Sequence, residues 1–326
     1  MLSRVADSIY WMNRYVERAE NVARFIEVNL NLMLDAPADS QGQWQPLVQT
    51  TGDQEDFARR YPESSQEHVL RFLTSDERNS NSVVSCLRAA RENARSVREI
   101  ISSEMWIQLN TFYLMLTDAA ASDRALLNPT EFVAEVRQAS QLFAGVTDAT
   151  MTRSEAWHFG RLGRMIERAD KTSRILDVKY YILLRSVDDI GTPFDDIQWA
   201  ALLRSASAFE MYRKKHGRIS PVGVLQFLLL DHEFPRAVRF SLLDAQASLH
   251  AISGTPLGTF RHAPEKHLGL LCSDLAYTTV EDVLHRGLHE SVDEIQGRLN
   301  RVGIGIHETF FASKAPDSAA PIAARA

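Results

Sequence analysis

Cysteine is scarce in these 326 residues: Cys86 and Cys272 stand alone, with no CxxC spacing. A disulfide framework is therefore not expected, and both thiols read as small core residues. Long uncharged runs are missing as well. The most apolar stretch, Val222–Leu230, falls well short of the roughly 18 to 20 residues that cross a bilayer, so no membrane span is expected. Positive charge is not in excess either. Thirty-six lysines and arginines face 42 aspartates and glutamates, and a formal charge of −6 offers no field to draw in a nucleic-acid backbone. No nucleic acid is expected as a partner. The opening residues carry Arg4, Asp7, Arg14 and Glu17 where a signal peptide would be uninterruptedly apolar, so a cytoplasmic location is expected. Walker loops, a GxGxxG turn after a strand and a GxSxG elbow are all lacking, which removes support for a self-contained NTPase, dehydrogenase or serine hydrolase.

What is present is a repeat. Met12–Glu27, MNRYVERAENVARFIE, returns 150 residues later as LGRMIERADKTSRILD at Leu162–Asp177. Arg14, Glu17, Arg18, Ala19 and Arg24 recur as Arg164, Glu167, Arg168, Ala169 and Arg174, while Glu20 and Glu27 become Asp170 and Asp177. The apolar positions keep the same register. Leu2, Val5, Ile9, Met12, Val16, Ala19, Ala23, Ile26, Leu30 and Met33 fall alternately three and four apart, and Phe159, Leu162, Ile166, Ala169, Ser173, Leu176, Tyr180 and Leu183 do likewise. Two related helices facing one core follow, closest where Ala19/Ala23 and Ala169/Ser173 lie. Trp11, Tyr15, Val22 and Phe25 add a second apolar flank, which makes the first copy a central helix.

Helix one is expected over Leu2–Leu34, ending before Pro37. Residues 36–81 read as a connection with short helical turns, and a second long helix is expected from Val83 to about Thr117. Then follow Glu131–Phe143 with Gly145 as its stop, the repeat helix near Thr152–Ser186, an acidic turn at 188–196, and helices at Ile197–His216 and Val222–Leu230. The last helices are expected from Pro235 to about Ile252, at Leu268–Leu275 and over Val280–Phe311. No segment alternates as a strand would. The expected fold is all-α, a helical bundle with two long repeat-related central helices, forming a single domain over 1–313 with a disordered Ala/Pro-rich tail at 314–326.

Charges on a buried helix leave water only when paired or ligated, which makes the charged repeat the candidate site. Glu17, Glu20, Glu167 and Asp170 are the candidate catalytic carboxylates, since one with its pKa raised by burial could move a proton. Arg14, Arg18, Arg24, Arg164, Arg168 and Arg174 are the candidate ligand-binding residues, because guanidinium forks pair with carboxylate or phosphate. Glu104, projected onto the seam of the second long helix, joins them. A plainer reading is available: Glu20–Arg24 and Asp170–Arg174 are i,i+4 pairs, which when exposed contribute roughly 0.2 to 0.5 kcal/mol and imply no chemistry. Carboxylates on facing helices can hold metal, but neither repeat contains histidine and the arginines would repel a cation. No permanent cofactor is expected; Mg2+ arriving with a phosphorylated ligand is the softer version. His285 and His289, in HRGLHE, lack the HExxH order and read as a solvated or satisfied pair.

Four ordered motifs resemble the bacterial alpha-E family: MLSRVADSIYWMNRYVERAENVARFIE at the start, RAARENARSVREIISSEMWIQLN at Arg88–Asn110, FGRLGRMIERADKTSRILD, and FLLLDHEFPRAVRFSL at Phe227–Leu242. The resemblance runs from Met1 to about Phe311. It implies an all-helical fold and a role beside a circularly permuted ATP-grasp protein and a transglutaminase-like protein, in an amide-bond-forming or peptide-modifying system. Two readings follow. One is a component that binds an anionic small molecule or peptide at the paired motifs; the other is a non-catalytic helical scaffold that docks the ATP-grasp partner, with the charges as structural ion pairs. A remote third is an all-α enzyme acting on a diphosphate with magnesium.

Overall fold

The computed structural model describes residues 1–34, 44–183 and 193–312, all helix and loop with no strand among them. The tail, most of the acidic turn and the side chains of Met33, Tyr180 and Leu183 lie outside the described residues. The first repeat forms α1, Ser3–Leu34. Short helices α2 (Gln45–Thr51), α3 (Gln54–Arg60) and α4 (Gln66–Thr74) follow, then α5 (Val83–Ser96), α6 (Ser103–Ala121), the single turn α7 (Arg124–Leu127) and α8 (Pro129–Thr150). The second repeat forms α9, Glu155–Leu183.

The two repeat helices pack along each other, with α5 and α8 against α1, and against α9 the later helices α13 (Val238–Ser253) and α16 (Leu288–Ile306). Ile9, Met12, Ala19, Ala23 and Ile26 of the first seam and Leu162, Ala169, Ser173 and Leu176 of the second are fully buried. The pair runs parallel, offset by nearly the repeat length. The amino group of Met1 pairs with Glu155 at one end, and Arg18 pairs with Glu167 further along. A tight approach sits at Gly163, where an added Cβ would lie 2.5 Å from the carbonyl oxygen of Tyr10, and another at Gly160 beside Asn13. Val16, Val22 and Phe25 are buried too, so α1 is apolar on more than one side, as a central helix must be.

Four expected helices differ from those observed. The long helix from Val83 breaks after Ser96: Ser102 caps a new helix by accepting from the Met105 amide, and α6 folds back so that Arg91 Nε donates to Asn110 Oδ1 at 2.8 Å. Apolar periodicity carries across this turn because Val97 and Ile101 stay buried in it, which is why sequence alone read one helix. Helix α8 continues through Gly145 to Thr150, since a glycine ends a helix by turning to positive φ and Gly145 does not. Between α10 (Pro193–Ser205) and α11 (Phe209–His216), Ser207 adopts φ 51° and splits the expected single helix. Beyond α12 (Pro221–Leu225) and its π turn, α13 leads to α14 (Ala263–Tyr277), and Gly287 at φ 104° separates α15 (Val280–Arg286) from α16. His285 and His289 thus sit on different helices, and His289 Nδ1 lies 2.8 Å from Asp177 Oδ1 of α9.

Gly163→Ala will lower stability by about 1–3 kcal/mol, because the methyl meets backbone that cannot yield. Gly145→Ala will raise it by about 0.5–1 kcal/mol through helix propensity. Urea unfolding of the two variants side by side checks both.

Candidate functional site

The repeats exchange their ion pairs. Arg18 Nε donates to Glu167 Oε1 at 2.7 Å and its Nη2 to Oε2 at 3.1 Å, while Arg14 Nε reaches Oε2 at 2.8 Å. In return Arg168 Nε and Nη2 donate to Glu17 Oε1 and Oε2 at 2.9 and 2.8 Å. Each glutamate of an ER dipeptide is thus held by the arginine of the other copy. About one turn along, the expected i,i+4 pairs also form: Arg24 Nη2 with Glu20 at 2.6 Å and Arg174 Nε with Asp170 at 3.1 Å. The first is fully interior, and the second is half-buried. Arg24 is fully buried, its Nη1 also bonding the Ser205 carbonyl at 2.5 Å.

The symmetry stops at the surroundings. Around Glu17 and Glu20, the guanidinium of Arg236 enters from the segment between α12 and α13 and bonds both carboxylates. That half-site is closed. Around Glu167 and Asp170, by contrast, lies an open cleft of about 670 Å³ between α1, α9 and α16. Arg14, Arg18, Lys171 and Arg174 line it, with Asn300, Gly303, His307 and Glu308 on the opposite wall. Lys171 Nζ holds Asp170 at 3.0 Å, Arg18 Nη1 donates to Asn81 Oδ1 at 2.9 Å, and Arg174 Nη1 to the Thr50 carbonyl at 3.3 Å. Aromatic faces back the guanidiniums: Arg14 stands 4.7 Å from the Trp11 ring centre and Arg18 5.5 Å from that of Tyr15. Arg14 and Arg18 are therefore held by both a carboxylate and an aromatic ring.

Electrostatics decide what these groups can do. Burial alone would push the Glu17 carboxyl up, but the guanidiniums of Arg168, Arg236 and Arg164 outweigh it and hold it at about 2. Asp170 is likewise held at about 2, with Lys171 and Arg174 overcoming burial, and Arg18 with Arg14 keeps Glu167 well below the usual range. Burial and the neighbouring Arg24 pull Arg236 down to about 9. Cations outnumber acids in this interior. Eight of them, Arg14, Arg18, Arg24, Arg164, Arg168, Lys171, Arg174 and Arg236, surround the four carboxylates Glu17, Glu20, Glu167 and Asp170.

The structure thus gathers all but one of the residues singled out from sequence. Glu104 lies apart, exposed on the first turn of α6. Arg24 and Arg168 serve the closed half-site, and Arg164 is buried beside it. Lys171 and Arg236 were not picked out. Lys171 stands opposite Asn21 in the repeat, so matching the two copies discards it, and Arg236 lies 219 positions from Glu17 with nothing local to link them. Among the described residues no three His, Cys, Asp or Glu side chains converge as a metal site would require, and no helix is long and apolar enough to cross a membrane.

A family profile described as "Alpha-E: A predicted alpha-helical domain with a conserved ER motif" matches residues 1–311. Two uncharacterized proteins, one from Mycobacterium bovis and one from Mycobacterium tuberculosis, are each 23% identical over 94% of this chain. The chain spans about a third of the length of these curated relatives, 35% in each case. No solved structure matches it.

Glu17→Gln removes a buried charge from three guanidiniums and will cost about 3–5 kcal/mol, whereas Glu92→Gln, on an exposed pair with Arg95, will stay within about 0.5 kcal/mol. Glu17 and Asp170 are more acidic folded than unfolded, so their contribution is complete above an unfolded carboxylate pKa of about 4 and is lost as pH falls toward 2. Unfolding free energy measured from pH 6 downward will fall along that window, and less steeply in Glu17→Gln.

Proposed function

The chain belongs to the Alpha-E family, and from its open charged half-site we propose that it binds an anionic ligand, a carboxylate or phosphate group, in the cleft between α1, α9 and α16. The observation that carries this reading is that four cations, Arg14, Arg18, Lys171 and Arg174, line the cleft against three carboxylates, Glu167, Asp170 and Glu308, in a chain whose net charge is −6. Arg18 carries three hydrogen bonds, which leaves donors of its fork for a ligand. Because the three carboxylates held low stay ionised through the neutral range, they suit anchoring guanidiniums better than passing protons. Binding is accordingly the proposed role of Arg14, Arg18, Lys171 and Arg174, with Glu167 and Asp170 holding them in place.

In this reading the protein presents a substrate or product to a circularly permuted ATP-grasp protein and a transglutaminase-like protein in a cytoplasmic amide-ligase or peptide-modifying system. Its match to one part of longer relatives suits a domain that works with another unit. A magnesium ion would enter only with a phosphorylated ligand. One observation favours the scaffold reading instead: the reciprocal pairs already give every oxygen of Glu17 and Glu167 a partner, so the network has a purely structural use.

Gly303 separates the two. Its missing Cβ lies 4.0 Å from Arg14 Nη1, so the Gly303→Phe side chain will occupy the cleft. Calorimetric titration with pyrophosphate and with succinate, each with and without magnesium, will show binding by the native chain and at least about tenfold weaker binding by Gly303→Phe. Unchanged stability of that variant together with unchanged product yield in the presence of the partner would establish the scaffold and end the ligand reading.

A further inference from the structure

A second place in the molecule lacks the acceptors its cations need. Arg164 of α9, only 8% exposed, faces Asp148 of α8 and makes no hydrogen bond among the described residues; its Nε is buried without a partner. The nearest carboxylate, Asp148 on α8, stands 3.7 Å from its Nη2, too far for a hydrogen bond. The same Asp148 oxygen stands 3.9 Å from Arg161 Nη1, and Arg161 Nε is likewise buried and unpartnered, although its Nη2 is bonded to Asp244 of α13. One acid therefore sits between two guanidiniums and bonds neither.

The repeat explains how this arose. Arg164 is the counterpart of Arg14, which donates to Glu167. The equivalent acceptor, Glu17, is already taken by Arg168 and Arg236. Arg236 has displaced Arg164 from the carboxylate its twin uses. A guanidinium taken out of water without acceptors is costly, and a native interior keeps one where something else supplies them. Burial, with Arg168 and Arg161 close by, pulls Arg164 down to about 10, so the surrounding field favours added negative charge. Asp148 is 40% exposed and marks the way in from solvent.

We propose that Arg164 and Arg161 form a second anion site, distinct from the cleft, that takes a small oxyanion such as phosphate, with Asp148 swinging outward as it enters. The oxyanion supplies acceptors to the two unpartnered Nε groups and to the terminal nitrogens that now share Asp148. No bond is made or broken.

Inorganic phosphate is the probe, and Gly303→Phe, with the cleft filled, is the background. Calorimetry of this variant in chloride of matched ionic strength will show phosphate binding, and adding Arg164→Met will weaken it at least about tenfold. In phosphate-free buffer Arg164→Met will be as stable as its parent or more so, because a buried cation without a hydrogen-bonded acceptor has been removed, and phosphate will raise the melting temperature of the parent alone. Arg164→Lys, which keeps the charge and loses the fork, will bind more weakly than the parent. Absence of phosphate binding in the Gly303→Phe protein, or binding that survives Arg164→Met, would overturn the proposal and leave only a water between Arg164 and Asp148. If the native chain binds phosphate only at the site that Arg164→Met removes, the cleft reading fails while this one stands.

Discussion

The interior depends on a swap of charges between two copies of one helix. Glu17 and Glu167 could not remain ionised inside the bundle unless each met a guanidinium in a two-pronged contact, and each meets the one carried by the other copy. The exchange fixes register as well as charge. The parallel alignment that the apolar seams allow is the one in which these ion pairs meet. Gly160 and Gly163 let the backbones come near enough for the side chains to reach across.

Duplication supplies the symmetry, and the rest of the chain removes it. The segment before α13 sends Arg236 into the first half-site, and α16 stands off from the second, leaving a cleft of about 670 Å³. Matched motifs thus acquire different uses. One is buried; the other keeps its cations within reach of solvent. A buried network of this kind contributes little net stability over well-packed apolar residues.

The central helices were legible in the sequence because two signals agreed: an apolar seam and a charge pattern, each repeated at the same distance. Their pairing could be inferred for the same reason. What failed was punctuation. The break at 97–102 keeps its apolar residues buried, so nothing in the periodicity announces it, whereas Gly145 looks like a stop and lies within α8. Glu104 was placed on a seam by extending a helix that in fact ends before it, and the turn puts it in solvent. Arg236 could not be found by local reasoning, since its role comes from a contact between segments more than two hundred positions apart. The direction in which the carboxylates titrate was equally hidden, as it depends on how many cations the fold collects around each acid.

The parallel arrangement of α1 and α9 has a topological consequence. Helices that run the same way cannot be joined by a short loop, so the chain must travel back the full length of the bundle between them, and α2 to α8 are that return path. A pair of like helices side by side, each giving its arginine to the other's glutamate, is also the contact two separate copies of a half-length chain would make about a twofold axis. The α1–α9 pair is in this sense a dimer held within one chain.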